Sequence, residues 1–268
     1  MILSILYSGY SSIPALLLFA GIIIFYFAGL KVLQYKQKKD TSHTPGGIGP
    51  FEGAMLGLIS LLLAFTFNKA ASNYDKRREL LIHETNCIGT VLLRADIYPD
   101  SVRNELRKDL KEYITERINY YEAGGNEQEI QEHLKKGNVV AERIWNRVAT
   151  IAQRNEVVIK SMQMVPAVGD MIDAVSQREE ARVAHIPVII LWLLFLFCVA
   201  GSFIVGYSSK SKKADWIILL SYSFMMVLTV YLILDLDQPR YGIINTDSTH
   251  LNMHLLLDSY EESSSQSH

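Results

Sequence analysis

The sequence predicts an all-α, multi-pass membrane protein with four transmembrane helices and long helices that extend into an extramembrane helical bundle. The first observation behind this prediction is that the chain contains four apolar blocks, each long enough to cross about 30 Å of hydrocarbon. The second is that apolar residues recur with the 3.6-residue period of a helix in the long polar segment between the second and third blocks. The third is that no stretch of the sequence alternates between apolar and polar residues as a strand does.

The first span covers residues 13–33, and Pro14 lies near its start, where a helix tolerates proline. The residues before this span lack the basic group of a signal peptide, and the apolar run is too long for one. We therefore expect a span that is retained. Lysines and a loop of turn residues follow it, and the first predicted segment, residues 1–67, ends with the second span.

The second span, residues 51–67, continues into charged residues without a helix-stop signal, so one helix is predicted over residues 51–96. At about 1.5 Å per residue it is roughly 65–70 Å long, more than twice the hydrocarbon thickness. Small or short polar residues follow one of its faces. Such a face permits close packing against a neighbouring span, or it lines a narrow axis in an oligomer. Its members are Gly53, Gly57, Ser60, Ala64, Asn68, Ala71 and Asp75.

Two aromatic residues, Phe65 and Phe67, lie at the end of the second span beside polar residues. Around an oligomer axis they would form an apolar ring that gates by dewetting. The alternative is an interfacial aromatic belt, which requires no function. The sequence leaves both interpretations open.

The predicted extramembrane domain, residues 68–186, is helical throughout its length by periodicity. Val165-Pro166 is expected to interrupt the chain, because proline breaks the hydrogen bonding of a helix. The helix after this point is expected to continue without a break into the third span. Beyond the long second helix, the predicted helices cover about residues 100–123, 127–164 and 168–186.

The third and fourth spans, residues 187–207 and 216–236, belong to the last membrane segment, residues 187–244. A short lysine-containing hairpin joins them. Residues 245–268 form a polar tail, and its end, residues 258–268, is expected to be disordered because its composition is polar.

Composition and motifs exclude several function classes. The net charge of −2 argues against nucleic acid as a partner. Cys87 and Cys198 lie in segments of different character, so a disulfide is not expected. His83 lies four residues before Cys87, and His250 four before His254, but two ligands on one helix do not make a metal site. Because nucleotide-binding, hydrolase and metalloprotease motifs are also absent, we expect no enzyme, no metal and no cofactor.

Ionisable residues are missing from the central part of every span. Coupled transporters usually have such residues there, because the cost of burying them is tolerated only for function. Their absence argues against a coupled transporter but not against a channel, whose pore can be lined by small or apolar residues. Past the second span, Arg77, Arg78 and Arg94 either attract anions or belong to a solvated face. On such a face they would pair with Glu79, Glu84 and Asp96.

Two acidic residues and an arginine, Asp235, Asp237 and Arg240, follow the fourth span. Asp237 can pair locally with Arg240, or Asp235 can contact the charged base of the second span. We expect these residues to clamp the membrane-exit region rather than to bind an ion.

Lysines in both short hairpin loops place those loops in the cytoplasm by the positive-inside rule, and the helical domain outside it. The basic residues Lys69, Lys76, Arg77 and Arg78, directly past the second span, argue for the reverse orientation. We expect the protein in the cell (inner) membrane with the helical domain outside the cytoplasm.

Two stretches, residues 61–96 and 232–244, resemble a bacterial membrane family known as bestrophin-like, and the four-span layout agrees. A weaker resemblance to true bestrophins rests on Asn73-Tyr74-Asp75 after an apolar span. Bestrophins are oligomeric, mostly anion-selective channels whose second span lines the pore and whose helical domain lies in the cytosol. In this sequence basic residues replace the tryptophans that usually follow the Tyr-Asp pair.

This resemblance, together with the small-residue face, gives the hypothesised pore. The hypothesised lining is Gly53, Gly57, Ser60, Ala64, Phe65 and Phe67, and the hypothesised mouth is Asn68, Tyr74, Asp75 and Arg78. The first functional hypothesis is a homo-oligomeric, anion-permeable ion channel whose partners are the lipid bilayer and inorganic ions. The second is a non-conducting membrane scaffold or sensor whose helical domain binds a partner protein.

Overall fold

The computed structural model describes residues 12–39, 49–153, 158–209, 214–238, 244 and 247–265. These residues form helices and no strand, which confirms the predicted all-α class. Four helical stretches are long and apolar enough to cross a membrane: Ser12–Lys39, Gly49–Ala95, Lys160–Tyr207 and Trp216–Asp237. The helices are α1 (Ser12–Lys39), α2 (Gly49–Ala95), α3 (Asp100–Glu122), α4 (Glu127–Ala152), α5 (Val158–Val183), α6 (Val188–Tyr207), α7 (Trp216–Asp237) and α8 (Asp247–Ser265).

The chain divides into two compact units. The first, called the membrane unit, contains α1, α2 as far as Tyr74, α6 and α7. The second, called the helical unit, contains α2 from Asp75, together with α3, α4, α5 and α8. Helix α2 therefore contributes residues to both units. Its length agrees with the single long helix predicted over residues 51–96.

In the membrane unit, α1 and α6 pack closely through two glycines. A Cβ atom at Gly29 would overlap the carbonyl oxygen of Phe203, and a Cβ atom at Gly206 would overlap the carbonyl oxygen of Tyr26. Small residues let two backbones come together and gain van der Waals contacts that larger side chains would prevent. The close crossing of α1 and α6 therefore depends on the absence of side chains at both positions.

Two hydroxyl groups in the membrane unit donate to backbone carbonyls of neighbouring helices. Ser202 of α6 donates to the carbonyl oxygen of Ile22 in α1. Tyr222 of α7 donates to the carbonyl oxygen of Cys198 in α6 at 2.8 Å. Since hydrocarbon offers no hydrogen-bond partner, these contacts satisfy groups that would otherwise be costly to bury.

In the helical unit, the apolar faces of α3, α4 and α5 pack together with those of α2 and α8. The chain turns between α3 and α4 at Gly124, whose φ of +56° suits glycine. Asn126 then caps α4, since its side chain accepts hydrogen bonds from the N–H groups of Gln128 and Glu129. The buried core includes Ile88, Val91, Leu106, Leu110, Ile114, Ile144, Val148, Met164, Val168 and Met171.

The predicted boundary between the last two extramembrane helices is wrong. Helix α4 ends at Ala152, well before residue 164, and Pro166 lies inside α5 rather than between helices. Proline removes one hydrogen bond from a helix. However, Met164, Ala167 and Val168 around it are buried in the core of the helical unit, and the burial of that apolar surface outweighs the loss.

The predicted continuity between the last extramembrane helix and the third span is also wrong. Helix α5 ends at Val183, and α6 begins at Val188. Pro187 disfavours a helical conformation at the residue before it, Ile186. Instead of bonding within a helix, the Ile186 N–H donates to the carboxylate of Asp237.

The expected disorder of residues 258–268 is wrong for the part that the structure describes. Helix α8 extends as far as Ser265. Met253 and Tyr260 of this helix are buried in the core of the helical unit, and the guanidinium of Arg107 lies 5.2 Å from the Tyr260 ring centroid. The tail is polar in composition, but its few apolar residues share one helical face, which packing stabilises.

Candidate functional site

The two faces of α2 differ within the membrane unit. Ile59, Leu63 and Thr66 are buried, whereas the small residues on the other side are exposed in the single chain. A Cβ atom placed at Gly53 or Gly57 would contact nothing within 4 Å. The exposed small residues, called the small-residue stripe, are Gly53, Gly57, Ser60 and Ala64.

Phe65 and Phe67 are 66% and 40% exposed, but they do not share a face of α2. Because successive residues of a helix are about 100° apart, Phe67 lies roughly 50° from the centre of the small-residue stripe and Phe65 about 110° away on its other side. Phe67 is therefore the aromatic residue closer to the stripe.

The residues of α2 that were assigned to a pore mouth differ in exposure. Asn68, Asp75 and Arg78 are exposed, and Tyr74 is half-buried and packs against the core of the membrane unit. Asn73, which was not assigned to the mouth, is buried.

Asp237, at the last position of α7, connects three segments of the membrane unit. Its carboxylate accepts a hydrogen bond from the backbone N–H of Ile186 at 3.2 Å and from the side-chain amide of Asn73 at 3.4 Å. The ring Nδ1 of His185 lies 3.3 Å from the same carboxylate. Asp237 thus holds together the end of α7, helix α2 and the segment before α6.

Asp235, two residues earlier, is also buried and accepts a hydrogen bond from the backbone N–H of Ile244 at 3.0 Å. The sequence suggested that Asp235 contacts the charged base of the second span. Asp237 makes a contact to α2, and this contact ends on the neutral side chain of Asn73. Arg240, the third residue of the expected clamp, lies outside the described residues.

Two of the three arginines past the second span donate to backbone carbonyls. Arg77 is buried and donates to the carbonyl oxygens of Ala181 and Ala184, at 3.0 and 2.6 Å. Arg94 donates to the carbonyl oxygen of Gln163. These arginines bond to backbone carbonyls because packing brings α5 beside α2.

The acidic residues expected to pair with those arginines have other partners. Glu79 pairs with Lys76 at 3.1 Å on the same helix, and Asp96 lies 3.5 Å from Arg107. Glu84 is fully buried rather than part of a solvated face. Its partners lie on α3 and α5, so the sequence of α2 alone does not reveal them.

The core of the helical unit contains a buried ion cluster, called the Glu84 cluster, formed by Glu84, Arg117 and Arg178. Arg117 Nε lies 2.5 Å from Glu84 Oε1, and Arg178 Nη1 lies 2.5 Å from Glu84 Oε2. Both guanidinium groups also lie near the ring of Tyr120, at 4.3 and 5.2 Å from its centroid. One carboxylate thus joins α2 to α3 and α5.

Electrostatics in this cluster favour the charged forms. Burial raises the pKa of Glu84, but the two guanidinium groups lower it further, so that it falls from 4.5 to about 2. Burial lowers the pKa of Arg117 while the Glu84 carboxylate raises it, and the net direction is upward. The cluster is therefore one negative and two positive charges at neutral pH.

Sequence reasoning missed this cluster, although a pattern in the sequence points to it. Glu84 lies on the helix face of Leu81 and Ile88, both buried, so a charge occupies a position with core spacing. Arg117 and Arg178 likewise continue the apolar faces of α3 and α5. A charged residue at a core position on each of three helices predicts a buried ion cluster, because such charges are stable only when paired.

The described residues contain no group of three or more side chains that could hold a metal ion. Cys87 Sγ lies 3.7 Å from His83 Nε2, a contact between two neighbours on α2. Burial raises the pKa of the Cys87 thiol, with the carboxylates of Asp170 and Glu84 adding to the effect. This pair therefore favours a neutral thiol, not a thiolate that would bind a metal.

Four apolar helices long enough to cross a membrane, together with a separate unit of packed helices, define a multi-pass helical membrane protein. A family model described as a bestrophin-like domain matches residues 16–251. Because the match covers most of the chain, the chain belongs to the bestrophin-like family. The resemblance stated from residues 61–96 and 232–244 is thereby confirmed.

Solved structures share the fold. One crystal structure of a bacterial bestrophin homologue from Klebsiella pneumoniae, a single-residue variant, matches with a TM-score of 0.65 at 12% identity, over 91% of this chain and 98% of that one. Another variant of a homologue from the same organism matches with a TM-score of 0.67 at 9% identity, over 93% and 98% of the two chains. Such low identity establishes the fold alone. Among curated proteins, no sequence matches this chain.

Proposed function

We propose that this chain is the subunit of a homo-oligomeric, anion-permeable ion channel in which the small-residue stripe of α2 faces the oligomer axis. The proposal rests on the exposure of that stripe in the single chain, while Ile59 and Leu63 on the other face are buried. A membrane helix with an exposed face of glycine, serine and alanine suits close approach by copies of itself around a narrow axis. Permeability to anions is taken from the resemblance to bestrophins.

Within this proposal, Phe67 forms the apolar constriction, since it lies closer to the stripe than Phe65 does. A ring of such side chains restricts ion passage by excluding water from a short part of the pore. The residues of α2 that follow, Asn68, Tyr74, Asp75 and Arg78, are assigned to the mouth. Asp235 and Asp237 are assigned to a clamp that holds this part of α2 in place.

Ion flux through the purified protein in liposomes tests the proposal, with chloride compared against potassium. We expect chloride flux, and we expect Ser60→Trp to block it because indole fills a narrow axis. Leu58→Trp is the matched control, since Leu58 is 50% exposed and lies about 130° from the centre of the stripe by helix geometry. Equal flux through both tryptophan variants would place the pore elsewhere.

The constriction is tested by a second matched pair. Phe67→Ala is expected to raise flux, because a smaller side chain leaves the axis hydrated, while Phe65→Ala is expected to leave flux close to wild type. A particle that is strictly monomeric in mild detergent would rule out the axis altogether. Well-folded oligomers without flux would favour the alternative of a non-conducting scaffold.

For the orientation, we propose that residues 68–186 lie outside the bilayer on the side opposite the two lysine-rich loops, and that these loops are cytoplasmic. The resemblance to bestrophins implies the reverse. An introduced cysteine, Lys212→Cys, decides between them in intact cells, because Cys87 and Cys198 are both buried and contribute little background. Reaction with a membrane-impermeant reagent would contradict the proposed orientation.

A further inference from the structure

We propose that the helical unit binds one small inorganic anion of halide size at the Glu84 cluster, where Arg117 Nη1 and the Tyr113 hydroxyl are its donors. All of these residues belong to the helical unit. The inference therefore does not depend on whether the chain conducts ions.

The charges of the cluster do not balance. Arg117 and Arg178 supply two positive charges and Glu84 one negative charge, so one positive charge remains. Arg117 uses Nε to bond Glu84, but its Nη1 is buried and has no hydrogen-bond partner among the described residues. A buried cation is costly unless its charge and its donors are both satisfied.

A second donor without an acceptor lies one helical turn away. Tyr113 is 1% exposed, and its hydroxyl has no hydrogen-bond partner among the described residues. Burial raises the pKa of this phenol, and Arg117 is the largest opposing influence, which is consistent with their closeness on α3. Buried polar groups without partners are rare in folded proteins and indicate a bound water or ion.

The surrounding groups offer these two donors little compensation. Both oxygens of Glu84 already accept from guanidinium groups at 2.5 Å. The Tyr120 hydroxyl donates to Glu179 at 2.6 Å, and Glu179 is also paired with Arg182 at 2.6 Å. The Glu179 carboxylate therefore has partners of its own.

The chemistry of the two donors selects the ligand. A water molecule would accept from both but would bring two hydrogens that need acceptors of their own. An anion only accepts, and it balances the remaining positive charge. A single-atom anion can be satisfied by these two donors, whereas phosphate or sulfate would leave several oxygens without partners in a core where Arg117, Tyr113 and Glu84 are all buried.

The test uses the full-length protein in detergent, with its unfolding midpoint measured in sodium chloride, sodium bromide and sodium gluconate at equal ionic strength. Because a ligand that binds the folded state stabilises it, we expect chloride and bromide to raise the midpoint by about 2–4 °C relative to gluconate. Tyr113→Phe should lose most of this rise. Tyr120→Phe is the matched control, since it removes a hydroxyl from the same helix but leaves both proposed donors in place.

An equal response to chloride in Tyr113→Phe and wild type would overturn the proposal. Crystals of the wild-type protein grown in bromide give a second test that requires no variant. We expect an anomalous bromide peak beside Arg117 Nη1 and the Tyr113 hydroxyl. An ordered peak there without anomalous signal, as water gives, or no peak at all, would also overturn it.

Discussion

Arg117 Nε lies 2.5 Å from Glu84 Oε1, and the two side chains are 1% and 0% exposed. The other oxygen of the same carboxylate accepts from Arg178 at an equal distance. The three residues come from α3, α2 and α5. A single carboxylate in the core therefore joins three helices of the helical unit.

Replacing Glu84 with alanine should strongly destabilise the protein. The change leaves two buried guanidinium groups without their carboxylate, and breaking a buried pair in this way costs about 3–5 kcal/mol. The measurement is the unfolding midpoint of the purified protein in detergent. Glu79→Ala is the control, because Glu79 pairs with Lys76 on the surface, where ion pairs contribute little. Similar shifts in both variants would show that the cluster does not stabilise the fold.

The Glu84 cluster should also make stability depend on acidic pH. The folded-state pKa of Glu84, about 2, lies below its ordinary value of 4.5. A group with a lowered folded-state pKa stabilises the protein fully above the unfolded pKa and loses that contribution as the pH falls toward the folded one. Between about pH 4.5 and pH 2 the wild type should therefore lose stability more steeply than Glu84→Gln, which cannot titrate at this position. Parallel pH profiles of the unfolding midpoint would contradict this expectation.

The crossing of α1 and α6 should not tolerate a side chain at Gly206. In Gly206→Ala the new methyl group overlaps the backbone carbonyl of Tyr26, which cannot rotate away, so the helices must separate. Overpacking of this kind costs about 1–3 kcal/mol. The yield of folded protein and its unfolding midpoint measure the effect.

Gly169→Ala is the control for that substitution, because a Cβ at Gly169 meets nothing within 4 Å and Gly169 lies outside the small-residue stripe. It should not lower the unfolding midpoint. An unchanged midpoint in Gly206→Ala would mean that the glycine crossing is not needed for packing.

Removing the carboxylate of Asp237 should loosen the junction at the end of α7. In Asp237→Ala the Ile186 N–H and the Asn73 amide lose their acceptor, and each buried group left without a partner costs about 1–3 kcal/mol. Asp237→Asn keeps one oxygen and should show a smaller loss. The unfolding midpoints of the two variants provide the comparison, and a larger loss in Asp237→Asn would contradict the assigned hydrogen bonds.

Much of the architecture is predictable from the sequence, but the candidate sites are predictable only in part. Hydropathy identifies the four spans, and the missing stop signal identifies α2 as one helix. The sequence predicts the small-residue face as a pattern. The exposure of this face is seen only in the folded structure, because it depends on what packs against α2. The local effect of proline on helix hydrogen bonding predicts a break at Pro166, but core packing keeps Pro166 inside α5.

Hydropathy, helical periodicity and charge along the chain were enough to predict a multi-pass helical membrane protein, because each is a property of one continuous segment. The pairing of Glu84 with Arg117 and Arg178, the contact of Asp237 with Asn73 and the closeness of Gly29 to Phe203 follow from the packed fold. These contacts join residues far apart in the sequence. Their partners are fixed when several helices bury their apolar faces together, and no single segment contains that information.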